Sequence, residues 1–223
     1  MAGARGKEPS WLLSLDDDPW RPSQRLYSLA HDIAGLAPRI KHRKLGARPS
    51  RGARWFETFP GEHYNLLTAI SVLLAPRIIW EFGTGDGMSA LAMLEGNAVA
   101  QLYTVDLDDW RSKPDTWFVA DDFADGRTVQ LVRDMADPQL FASWDIAKAD
   151  LIFVDGPKDG TTERQLLARL AAVRFRSNPI VVFDDIRVLN MIDIWRGIAR
   201  PKFDLTSYGH VTGTGLVDWC GSL

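Results

Sequence analysis

Residues 81–89 read Glu-Phe-Gly-Thr-Gly-Asp-Gly-Met-Ser, and the three glycines follow directly on the apolar run IIWEFG at 78–83. A strand that must turn sharply into a helix needs residues without side chains, and a missing Cβ also lets backbone N–H groups approach a ligand. Working outward, further short apolar runs recur: LYTVD at 102–106, VQLVRD at 129–134, DLIFVDG at 150–156 and PIVVFDD at 179–185. Runs of this length and composition are expected as buried parallel strands. Helical spacing appears between them, at Leu66, Leu67, Ile70, Leu73 and Leu74 before Pro76, from Ser89 to Leu94, from Leu166 to Val173, and at Leu189, Ile192 and Ile198. The alternation predicts an α/β fold with a doubly wound, mostly parallel seven-stranded sheet. FDLTSYG at 203–209 and GTGLVDW at 213–219, joined by a short polar link, predict an antiparallel C-terminal hairpin.

The chain has 223 residues, 46% hydrophobic and 25% charged, which suits one large packed domain and excludes disorder of the whole. Its formal net charge of -3 gives no global attraction to nucleic acid or an anionic membrane, so neither is an expected partner. The only cysteine, Cys220, excludes an internal disulfide framework and a cysteine-built zinc site. MAGARGKEPSW lacks an apolar export core, and the longest apolar stretches fall short of the ~18 residues a membrane span needs, so a cytoplasmic protein is expected. The character of the chain changes near residue 55. Residues 1–55 read as a helical segment (Gln24 to Leu36) followed by a basic arm or lid at 39–54, with Arg39, Lys41, Arg43, Lys44, Arg48, Arg51 and Arg54 and no acid; residues 56–223 read as the catalytic domain.

Asp106 ends the second run about twenty positions after the turn, the spacing at which an acid accepts hydrogen bonds from ribose hydroxyls. Ser89 stands where a helix should begin, either to hold a ligand carboxylate or to cap the helix. Nicotinamide enzymes use the same turn and acid, but their third glycine falls one position later, where this chain has Met88; the G-x-G-x-G spacing favours S-adenosylmethionine (SAM). Asp155, Asp184 and Asp185 fall at the carboxyl ends of strands, where open parallel sheets bind ligands. Clustered carboxylates repel unless protonated or holding a cation, and oxygen-only donors suit Mg²⁺, Mn²⁺ or Ca²⁺; capping and turn chemistry is the alternative. Lys158 follows Asp155 within one short turn and should overlook the same cavity.

From about Phe59 to Asp185 the sequence resembles the class I, divalent-metal-dependent small-molecule O-methyltransferases, such as the catechol and caffeoyl-CoA enzymes. PGEHYNLL, EFGTGDGMS, the acid ending TVD, the VDGPKD turn and the final FDD carry the resemblance. It implies a Rossmann-like methyltransferase fold, Asp155, Asp184 and Asp185 as ligands of a divalent cation such as Mg²⁺, Lys158 as general base, Ser89 and Glu81 near the methionine part of SAM, and Asp106 on the ribose. Gly83, Thr84, Gly85, Gly87, Asp134 and Met135 complete the expected cofactor-binding set. Two departures stand out: Asp184-Asp185 where the catechol enzymes have Asp-Asn, and Gly156-Pro157 in place of a bulkier pair. The expected partner is a small-molecule acceptor, and a homodimer stays open. Two rival readings are a nicotinamide-dependent oxidoreductase and a non-catalytic SAM-fold module that holds an acidic partner through the basic arm. His31, His42, His63 and His210 lack metal-ligand spacing, and Trp110, Trp117 and Trp195 are candidates for the wall of an acceptor pocket.

Overall fold

Five of the seven strands are parallel, and a computed structural model places them in one sheet of order β3-β2-β1-β4-β5-β7-β6. The structure describes residues 20–42, 62–142, 145–208 and 212–222. The strands are β1 (Ile78–Phe82), β2 (Gln101–Asp106), β3 (Thr128–Val132), β4 (Leu151–Val154), β5 (Ile180–Asp184), β6 (Lys202–Asp204) and β7 (Thr214–Asp218). The helices are α1 (Gln24–Leu36), α2 (Glu62–Leu74), α3 (Met88–Gly96), α4 (Pro138–Ala142), α5 (Thr162–Ala172) and α6 (Met191–Gly197). β7 enters antiparallel between β5 and β6, so the expected hairpin is present and its second strand lies inside the sheet.

Alternation along the strands divides the core into two layers. Ile79, Leu151, Phe153, Ile180 and Val182 face α1, α2 and α3, while Trp80, Phe82, Ile152, Val154, Val181 and Phe183 face α4, α5 and α6. Both faces of the central strands are therefore covered, which is why β4 and β5 are apolar without interruption. Helix α1 packs within the first layer through Leu26, Leu29, Ala30 and Ile33. Its N-cap Ser23 donates to buried Asp218 of β7 (2.7 Å), and Arg25 pairs with the same carboxylate (3.1 Å). The N-terminal helix is thus tied to the far end of the sheet.

The crossover from β2 to β3 carries no α-helix, only 3₁₀ turns at Trp110–Ser112 and Ala120–Phe123. Aromatic packing takes the helix's place: Trp110 stacks on Phe123 at 5.0 Å, and Phe118 meets both edge-on. Trp110, Trp117 and Trp195 are buried in the core, the last packed against Gly215 of β7. Among the described residues no helix is long and apolar enough to cross a membrane. Most of the basic arm at 39–54 lies outside the described residues; its first part does not, since Ala37–Arg39 is a 3₁₀ turn and His42 bonds Asn65 of α2 at 2.7 Å.

Candidate active site

β1 and β2 are neighbours in parallel register, so Phe82 and Val105 end side by side and the chain after each opens at the same edge of the sheet. Gly83, Gly85 and Gly87 adopt φ of +107°, +49° and +84°, the left-handed region that glycine enters without steric cost. Their reasons differ. A Cβ on Gly83 would lie 2.1 Å from the backbone oxygen of Asp155, and one on Gly87 would lie 2.5 Å from the Phe118 ring. A Cβ on Gly85 would meet nothing within 4 Å, so of the three this glycine faces open space. Packing within the protein accounts for the other two.

Gly83, Gly85, Asp106, Asp134, Met135 and Pro157 line one open cleft of about 400 Å³. That is the size of a small-molecule site, commonly roughly 300–1,000 Å³. The Asp106 carboxylate accepts the N–H of Gly85 (3.0 Å) and of Asp108 (3.1 Å), which fixes it at the cleft edge. Asp134 accepts the Ala136 N–H at 2.8 Å. The other expected cofactor residues lie beneath this surface. Glu81 is fully buried and accepts hydroxyl bonds from Ser89 (2.6 Å) and Thr104 (2.5 Å), and Thr104 in turn bonds Thr84 (2.7 Å). Burial pushes the Glu81 carboxyl up to about 8, against the opposing pull of those two hydroxyls. Ser89 is spent on Glu81 and does not cap α3; the residue before the helix is Gly87, without a side-chain cap.

At the adjoining strand ends, Asp155 follows β4, Asp184 ends β5 and Asp185 follows it. One carboxylate oxygen from each lies within 4.8 Å of the others, so the structure brings the expected trio together. Lys158 joins them, with its Nζ bonded to Asp155 and 2.8 Å from Asp185. Burial alone would lower the Lys158 pKa, but the two carboxylates outweigh it and hold the amine above its ordinary range. Asp155 is pushed up to about 6 by burial and by the Asp184 charge, despite the ammonium beside it. The two directions agree: one ammonium does not neutralise three carboxylates, and the cluster retains excess negative charge.

Two neighbours were not legible from spacing. His63 of α2 is buried 3.8 Å from Asp184 and 3.4 Å from the Thr214 hydroxyl, and Thr214 is the register partner of Asp184 across β5 and β7. The pKa of Tyr64 is raised, first by burial and then by the charges of Asp155 and Asp184. Only the tertiary fold brings these two residues of α2 to the acidic cluster; the sequence signals were the PGEHYNLL motif and a polar His-Tyr pair near the start of an apolar helix.

Residues 80–186 match the family profile described as "Methyltransferase domain". No curated protein matches the chain. Among solved structures, the O-methyltransferase TomG of Streptomyces achromogenes, involved in tomaymycin synthesis and bound to SAM, is 16% identical with a TM-score of 0.58, over 89% of this chain and 100% of that one. An S-adenosylhomocysteine (SAH)-bound methyltransferase of Podospora anserina is 16% identical at 0.56, over 90% and 98%. The apo TDP-rhamnose 3'-O-methyltransferase of calicheamicin biosynthesis is 15% identical at 0.52, over 90% and 97%. At such identities the likeness is one of fold.

Proposed function

We propose that this class I methyltransferase transfers the methyl group of SAM to a hydroxyl oxygen of a small molecule, assisted by a divalent cation. One observation carries the reading: the glycine turn and the acidic cluster share a wall, because Gly83 packs directly on the Asp155 backbone. A cofactor held over Gly85 and Asp106 and an acceptor held at Asp155, Asp184 and Asp185 would thus meet at one edge of the sheet.

The residues present fit both groups. For SAM, Asp106 stands at the cleft rim as an acceptor for ribose hydroxyls, the open side of Gly85 admits a ligand against the backbone, and Leu107, Met135 and Pro157 supply apolar walls. For the cation, three carboxylates that share one ammonium form an oxygen-only donor set of the kind Mg²⁺ takes. SAM supplies an electrophilic methyl, and a cation on these aspartates would lower the pKa of a bound hydroxyl. What the chain itself contributes is placement: in-line displacement requires the acceptor oxygen near the methyl carbon and water kept out. Lys158 Nζ is the group placed to take the acceptor's proton; here it holds its own proton between Asp155 and Asp185, and must leave them before it can serve as a base.

The test is transfer of radiolabel from methyl-labelled SAM to a panel of phenols, catechols, sugars and hydroxylated polyketides, with Mg²⁺ and with excess chelator. Label on an acceptor oxygen that chelation suppresses is the expected result. Label confined to nitrogen acceptors, or full turnover in chelator, would overturn the acceptor class or the cation respectively.

A further inference from the structure

Glu163, in the first turn of α5, is fully buried although it is a carboxylate. A buried polar group must be satisfied, and backbone near the acidic cluster supplies two hydrogen bonds to this one. One carboxylate oxygen accepts the Lys158 N–H at 2.7 Å and the other accepts the Gly160 N–H at 2.8 Å. Lys158 and Gly160 both have left-handed backbone, at φ +61° and +77°. The Asn190 side chain closes the loop from the other side, donating to the Lys158 carbonyl at 3.1 Å. The Glu163 oxygen also lies 2.9 Å from where a Cβ on Gly156 would be, so a larger residue at 156 would displace it. The small residue that separates this chain from the catechol pattern is therefore the one that admits Glu163.

We propose that Glu163 is a positioning residue: by clasping the backbone of Lys158 and Gly160 it holds the loop in the left-handed form that aims the Lys158 ammonium between Asp155 and Asp185. Its bearing on catalysis rests on the methyl-transfer reading above, whereas the clasp is a property of the fold and is tested without an acceptor. An extended Lys158 would turn its side chain away from the two carboxylates. Asn190, which precedes α6 in the segment after Asp185, joins the clasp to the loop that carries the second of them.

The experiment is lysine acylation at limiting reagent, mapped by peptide mass spectrometry on the SAH-bound protein and on its Glu163→Gln, Glu163→Ala and Asn190→Ala variants. Exposed lysines set the reagent scale, and Lys202, buried and bonded to three backbone carbonyls, reports global opening. Lys158 labelling should rise about tenfold in Glu163→Ala, and by less in Glu163→Gln and Asn190→Ala, while Lys202 and SAH affinity stay as in the parent. Unchanged Lys158 labelling in both Glu163 variants would overturn the proposal. So would a rise that Lys202 matches, because Glu163 would then support the domain rather than aim the lysine. Absence of methyl transfer in the parent would bear on the reaction and leave this outcome readable.

Discussion

The glycine turn after β1 and the turns that carry the acidic cluster solve the same backbone problem with different residues. After β1 the left-handed positions are Gly83, Gly85 and Gly87; after β4 and β5 they include Lys158, Asp185 and Leu189, at φ +61°, +57° and +49°. For a residue with a side chain such a conformation costs roughly 1–2 kcal/mol, and it persists only where the surroundings over-determine it. Around Lys158 they do: two hydrogen bonds to a carboxylate, each about 1.5–3 kcal/mol, exceed the strain. The difference separates the tasks of the two regions. The first turn leaves backbone open at Gly85, the proposed place of the cofactor, whereas the second presents an ammonium and carboxylates from equally tight bends.

Chelation of divalent ions should separate the two regions most sharply. Excess chelator should abolish methyl transfer while leaving SAM affinity within about twofold, because the acidic cluster bears on the acceptor and the glycine turn on the cofactor; matched losses of both, by calorimetry and by radiolabel, would merge the two regions into one function. Lys158→Met should lower kcat by about 10²–10⁴ with SAM binding retained. A kcat near the parent value would show that the acceptor's proton leaves by another route.

Glycine substitutions sharpen the contrast within the first turn. Gly83→Ala drives a Cβ into the Asp155 backbone and should cost about 3 kcal/mol or more of stability, read by denaturant unfolding. Gly85→Ala meets open space and should cost only about 1 kcal/mol of backbone strain, yet weaken SAM. Equal costs at the two positions would contradict the assignment of one glycine to packing and the other to the ligand.

The Glu81 effect is read from pH dependence, and its sign follows from the raised pKa. Its folded value of about 8 lies above the ordinary 4.5, so the fold favours the protonated carboxyl; that contribution is complete below about 4.5 and is lost as pH rises through 8. Glu81→Gln lacks this loss, so its Tm should gain steadily on the parent as pH rises from about 5 to about 9. A constant difference across that range would mean that Glu81 does not titrate there.

The sheet was legible because its strands are buried on both faces: an unbroken run such as PIVVFDD can be read without knowing its neighbours, and β5 covers Ile180–Asp184 within it. Asp106, Asp155, Asp184 and Asp185 were legible for a related reason, since they terminate those runs. The β2–β3 crossover was harder, because Trp110, Phe118 and Phe123 replace a helix by ring packing that no periodicity announces. Of the roles open to Ser89 in the sequence, capping is absent, and its hydroxyl bonds a buried acid on the strand behind it, a contact that spacing does not announce. His63 and Asp184 lie 121 positions apart, and Glu163 looks in sequence like any acid in the first turn of a helix. Partners of this kind are set by packing, which spacing along the chain does not encode.

The central claim is that the glycine turn and Asp106 form a SAM site. Calorimetric titration of the purified protein with SAM, with NAD, and with SAM against the Asp106→Ala and Asp106→Asn variants tests it most directly. SAM should bind at micromolar affinity and NAD should give no heat. Asp106→Ala should weaken SAM about tenfold or more, and Asp106→Asn by less, because it keeps an acceptor for the ribose but loses the charge. Tight binding of NAD, or SAM affinity indifferent to both substitutions, would contradict the account.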